Sequence, residues 1–162
     1  DKDLERLNAF LETQDAYLLM RGHREEMERI SANYGEKKLS RILPAHQEIF
    51  QDAQRLLAHV DVLVTDYSSI YLDFLLLDKP MIFIPYDLEQ YQSYRGFLFD
   101  YETYTPGDKV GTQTEFIESL DRALNKPELG AKERAQMKNL FHTYEDGKSS
   151  ERIIAHINKM NC

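Results

Sequence analysis

The chain has 162 residues, is 42% hydrophobic and 30% charged, and carries a net charge of −8 with a pI near 5.1. That length suits one domain, and the apolar fraction excludes a disordered chain. The acidic balance excludes a global basic footprint for nucleic acid or a polybasic grip on an anionic membrane.

Taken in chain order, Leu4, Leu7, Phe10 and Leu11 recur at helical spacing, with Asp3 able to cap the start, and predict a helix to about Glu12. The unbroken apolar run Ala16–Met20 reads as a buried parallel strand. Glu25 to about Tyr34 reads as a polar helix ended by Gly35, and Leu39–Leu43 as a second strand stopped by Pro44. Asp52–Ala58 reads as a helix and Asp61–Thr65 as a third, β-branched strand. Ser69–Leu77 is apolar nearly all round, which predicts a core helix. Met81–Ile84 is the fourth strand, closed by Pro85. Residues 86–108 form an acidic, aromatic stretch with few periodic cues, and helices resume at about 113–125, 127–142 and 148–160. Pro127 suits a first helical turn and Gly147 a break before the last helix.

Alternating strands and helices up to residue 85 predict a right-handed parallel α/β sheet in a single domain, 1–162. Ligands of such sheets sit beyond the carboxyl ends of the strands. That directs attention to Arg21-Gly22-His23, Pro44-Ala45-His46, Asp66-Tyr67-Ser68-Ser69 and Pro85-Tyr86-Asp87.

In the third of these, Ser68 or Ser69 would cap the following helix, or the loop would hold an anion on free N–H groups and hydroxyls. Asp73, one turn into an apolar helix, requires a partner or water, and either a sugar hydroxyl pair or a protein donor would serve. His23 can donate to a phosphate or stay solvated. Arg95 can clamp a phosphate bidentately or pair with Asp87, Glu89 or Asp100. The histidines show no metal-ligand spacing, and Cys162 is remote from them, so no zinc site is expected. Neither a Gly-x-x-x-x-Gly-Lys loop nor a Gly-x-Gly-x-x-Gly turn occurs. A single cysteine fits a reducing compartment. The opening residues read as a helix start with no signal peptide ahead, so we expect a piece of a longer protein.

Three segments carry a resemblance: VLVTDYSSIYLDFLLLDKPMIFIPYDLEQY, RGFLFDYETYTPGDKV and DGKSSERI. They resemble, in order and spacing over roughly 40–160, the TDYSS-x-x-x-DF, RGF-to-PG and DGK-S blocks of the CDP-glycerol glycerophosphotransferase family. These are the teichoic-acid glycerol- and ribitol-phosphate primases and polymerases of bacteria. The resemblance implies the C-terminal, Rossmann-like nucleotide-binding half of a GT-B glycosyltransferase fold. It implies CDP-glycerol or CDP-ribitol as donor substrate, no cofactor and no metal, release of CMP, and a lipid-linked polyol-phosphate acceptor reached through a missing domain. It places the full-length enzyme in the cytoplasm, at the cytoplasmic face of the membrane. By the same resemblance, His23 matches a histidine near the donor pyrophosphate, although His23-Arg24 departs from the usual His-Pro or His-aromatic. Asp66, Ser68 and Ser69 match the phosphate-cradling block, Asp73 the acid that binds ribose hydroxyls, and Arg95 the RGF arginine. The general base would lie outside this chain.

Two other classes compete on the sequence. Another GT-B nucleotide-sugar transferase would share the fold. A phospho-receiver module would need an acidic pair after its first strand, where Met20-Arg21-Gly22-His23 offers none, and its Lys-Pro would follow a strand, whereas Lys79-Pro80 precedes one.

Overall fold

A computed structural model describes residues 3–22 and 39–160. Helix α1, Leu4–Thr13, is capped as expected: the Asp3 carboxylate accepts the Arg6 N–H at 3.0 Å. Strands β1, Leu18–Met20, and β2, Ile42–Pro44, pair in parallel, with Met20 opposite Pro44. Helix α2, Ala53–Leu57, leads to β3, Leu63–Thr65, then α3, Ile70–Phe74, and β4, Met81–Phe83. The segment predicted as irregular holds α4, Leu88–Tyr94, α5, Tyr101–Tyr104, and a further strand β5, Asp108–Lys109. Helices α6, Gln113–Asn125, α7, Ala131–Phe141, and α8, Ser149–Met160, complete the chain.

The parallel α/β class is as expected, but the strands form two ladders instead of one. β1 pairs with β2, and β3, β4 and β5 form a second parallel sheet in that order. Side chains join what the backbone does not: Leu18 and Ile42 pack with Val62, Val64, Ile82 and Ile84 in one apolar cluster with Leu7, Leu11 and Phe116. Apolar packing requires only proximity, whereas a ladder requires aligned N–H and C=O groups. Within each sheet the strands' carboxyl ends share an edge. Arg21, after β1, donates to the Ala45 and Phe50 carbonyls after β2, at 3.0 and 2.7 Å.

Three local expectations are corrected. Strand β2 includes Pro44, the residue expected to stop it, because a proline is tolerated at a strand's end, where the Ala45 N–H supplies the bond to the Met20 carbonyl. The core helix after β3 ends as α at Phe74 and tightens into a 3-10 turn over Leu75–Leu77, halted by Asp78 at φ +50°. Phe74 and Leu75 are buried, but Leu76 and Leu77 reach solvent. Pro127 lies in a turn, and α7 begins only after Gly130 at φ +73°. The predicted break at Gly147, φ +70°, is observed. The expected helix from Glu25 to Tyr34 lies outside the described residues. Among the described residues no helix is long and apolar enough to cross a membrane.

The second core cluster, around Phe74, Leu75, Met81, Phe83 and Tyr101, packs between α3, β4 and α7. Gly107 is essential to it: a Cβ there would overlap the Met81 carbonyl and press on the Phe83 ring. Glycine thus lets the chain cross β4 closely enough to start β5.

Candidate donor-binding site

The loop after β3 is shaped by its own side chains. Asp66 folds back to accept the Ser68 N–H at 3.1 Å, an Asx turn, while its carbonyl accepts from the Tyr101 hydroxyl at 3.1 Å. Ser68 Oγ takes the Ile70 N–H at a long 3.4 Å. Ser69 stands at the N-cap of α3 without a capping bond, and its exposed hydroxyl has no partner. Helix capping therefore engages Ser68 weakly and Ser69 not at all.

Between these residues, Tyr67 turns inward. Its ring stacks on Tyr91 of α4, centroids 4.2 Å apart, and touches Phe97, Tyr101 and Tyr86 at 5.7, 5.6 and 6.2 Å. Its hydroxyl oxygen accepts the Asp87 N–H at 3.1 Å. Burial pushes the phenol up to about 12, with the Asp87 carboxylate adding to the rise. Tyr101 is likewise raised by burial. This aromatic cluster brings Arg95-Gly96-Phe97 against the Asp66–Ser69 loop, since Phe97 packs on Tyr67, Tyr91 and Tyr101.

Arg95 is exposed, and its guanidinium pairs with none of Asp87, Glu89 or Asp100. Asp100 is engaged as the cap of α5, accepting the Thr103 N–H at 2.8 Å. Asp73 is also exposed and has no protein donor among the described residues. His23 lies outside the described residues. Of the residues singled out, Asp66, Ser68 and Ser69 share one loop, Asp73 lies on the helix that follows directly, and Arg95 lies just before the Gly96-Phe97 pair whose ring packs on Tyr67 of that loop. Sequence reasoning missed Tyr67 as the hub. The signal was available: a tyrosine between the strand end and the serines, followed by tyrosines and phenylalanines at 86, 91, 97 and 101. Among the described residues no three His, Cys, Asp or Glu side chains gather as metal ligands.

Residues 1–159 match the sequence model of a family described as CDP-Glycerol:Poly(glycerophosphate) glycerophosphotransferase. The teichoic acid ribitol-phosphate polymerase TarL of Staphylococcus aureus is 31% identical over 155 residues, covering 96% of this chain and 26% of the relative. The teichoic acid glycerol-phosphate transferase of the same organism is 38% identical over 111 residues, 68% of this chain and 28% of that protein. A structure of a variant of the wall teichoic acid polymerase TagF soaked with CDPG is similar at a TM-score of 0.71 and 25% identity, covering 97% of this chain and 38% of that one. The chain thus spans 26% and 28% of the length of those two curated relatives.

Proposed function

The chain belongs to the CDP-glycerol:poly(glycerophosphate) glycerophosphotransferase family, and on that premise we propose that it is the donor-binding part of a longer, two-domain enzyme. That enzyme transfers glycerol phosphate or ribitol phosphate from a CDP-alditol to a lipid-linked polyol-phosphate acceptor, releasing CMP, at the cytoplasmic face of the membrane. The observation that carries the reading is that Phe97 packs on Tyr67 and so joins the segment of Arg95 to the loop of Ser69, the side chains of both Arg95 and Ser69 being exposed and without a partner among the described residues.

In this reading the pyrophosphate sits on the Asp66–Ser69 loop, receiving hydrogen bonds from the Ser68 and Ser69 hydroxyls and a bidentate contact from Arg95. Asp66 shapes the loop through its bond to the Ser68 N–H. His23 adds a donor to the phosphate, and Asp73 accepts from the ribose hydroxyls. The acceptor alcohol attacks the β-phosphorus and CMP leaves. The chain's residues hold the phosphates in line and neutralise charge as it develops, with no cofactor and no metal assigned. The general base belongs to the other domain, so this chain alone binds the donor without turning it over.

Calorimetric titration with CDP-glycerol, CDP, UDP and GDP tests the reading. CDP and CDP-glycerol should bind and the other nucleotides should bind more weakly. Equal affinity for UDP would favour a different nucleotide-sugar donor, and robust transfer by this chain alone would refute the division of labour.

A further inference from the structure

Helix α4 is held in an unusual way. It is seven residues long, none of its residues is buried, and its N-cap, Asp87, makes no capping bond. The Asp87 Oδ1 atom is instead buried without a hydrogen-bond partner. One residue outside the helix grips it along its length. The Tyr67 hydroxyl accepts the N–H of Asp87 at the start, and the Tyr67 ring stacks on Tyr91 one turn later. The Arg95 N–H then donates to the Tyr91 carbonyl at 2.8 Å, and Phe97 closes back on both rings.

From this geometry we propose that Tyr67 is a positioning residue, the strut that holds α4, and with it the backbone that carries Arg95, against the loop that carries Ser68 and Ser69. The inference rests on the donor-binding reading above. Its physical basis is preorganisation: an arginine on a short exposed helix would otherwise lose conformational freedom at the moment of binding. Tyr67 adjoins Ser68 in sequence, so any movement of the phosphate loop moves α4 with it.

The test is a double-mutant cycle read by titration with CDP-glycerol, each variant being assayed well below its own unfolding midpoint. Arg95→Ala should weaken binding about tenfold, the loss of one charge-assisted contact. In a Tyr67→Leu background the same change should cost under about twofold, because the guanidinium is no longer delivered. A tenfold loss in both backgrounds would overturn the proposal and leave Arg95 as a phosphate contact. No loss in either would overturn the proposal together with the role of Arg95. Ser69→Ala then shows separately whether the donor-binding reading survives. A second measurement guards against misfolding of Tyr67→Leu. In Tyr67→Phe the Asp87 amide, deprived of its acceptor, should exchange with solvent at least about tenfold faster while Ile82 in β4 stays protected. An unchanged Asp87 amide would also overturn the proposal.

Discussion

Arg134 and Arg95 come from two regions that use the same side chain in opposite ways. At the base of α7, Arg134 is 3% exposed and commits four of its five N–H donors: Nε to the Asp78 carboxylate at 3.1 Å, Nη1 to the Leu129 carbonyl at 2.7 Å, and Nη2 to the Pro127 and Asp78 carbonyls at 3.0 and 3.3 Å. It fastens the left-handed Asp78 turn after α3 to the start of α7. Nearby, Asp108 accepts from Ser119 and Arg122, each at 2.7 Å. At the carboxyl edge of β3 and β4, by contrast, Ser69, Asp73 and Arg95 are exposed and unpartnered. Where polar groups satisfy one another they hold the fold, and where rigid packing leaves them unsatisfied they are free for a ligand.

The largest effect that would sharpen this contrast belongs to Arg134→Met. It leaves three carbonyls without their donor and should cost about 3 kcal/mol in urea unfolding. Affinity for CDP should be unchanged under folding conditions; a parallel loss of affinity would erase the division between the two regions. Next is the double change Ser68→Ala and Ser69→Ala, expected to weaken CDP binding by about 1–3 kcal/mol while stability stays within about 0.5 kcal/mol. If stability falls and affinity holds, the serines belong with the structural groups. Asp73→Asn should fold normally and lose most of the preference for CDP over 2′-deoxy-CDP. Equal discrimination in both proteins would remove Asp73 from the site.

The smallest effect is a pH dependence in the structural region. Burial would raise the Asp108 carboxyl, but hydrogen bonds from Ser119 and Arg122 and the Arg122 charge hold it below the usual aspartate range. A depressed folded pKa gives stability that is complete above the unfolded value and is lost as pH falls through the folded one. Stability of Asp108→Asn should therefore fall less steeply than that of the parent below about pH 4. Matching slopes would show that these hydrogen bonds do not favour the charged carboxylate.

Much of the fold was legible. Asp3 caps α1, Gly147 precedes α8, and the runs at 16–20, 61–65 and 81–84 contain three of the four strands expected, while the fourth, Ile42–Pro44, takes in the proline that the run at 39–43 stopped short of. Strand boundaries were less so, because apolar composition marks the whole buried stretch while only three residues of each align for a ladder. The segment 86–108 gave no periodic signal since α4 and α5 are stabilised by rings stacked on Tyr67 and Phe83 instead of by an apolar stripe of their own. The same absence hid β5, a two-residue strand made possible by the close passage of Gly107 over β4.

By itself the sequence determined the order of the described elements outside 86–108, the parallel α/β class, and the strand-end loop on which Asp66, Ser68 and Ser69 sit. These follow from local patterning, which is written residue by residue. Whether Ser69 caps, whether Arg95 pairs with a neighbouring acid, and whether Asp73 finds a protein donor were decided only by tertiary structure. Each depends on which groups far apart in the chain come within hydrogen-bonding distance. Here the aromatic packing around Tyr67 joined the segment of Arg95 to the loop of the serines, and left the Ser69 and Arg95 side chains without partners among the described residues.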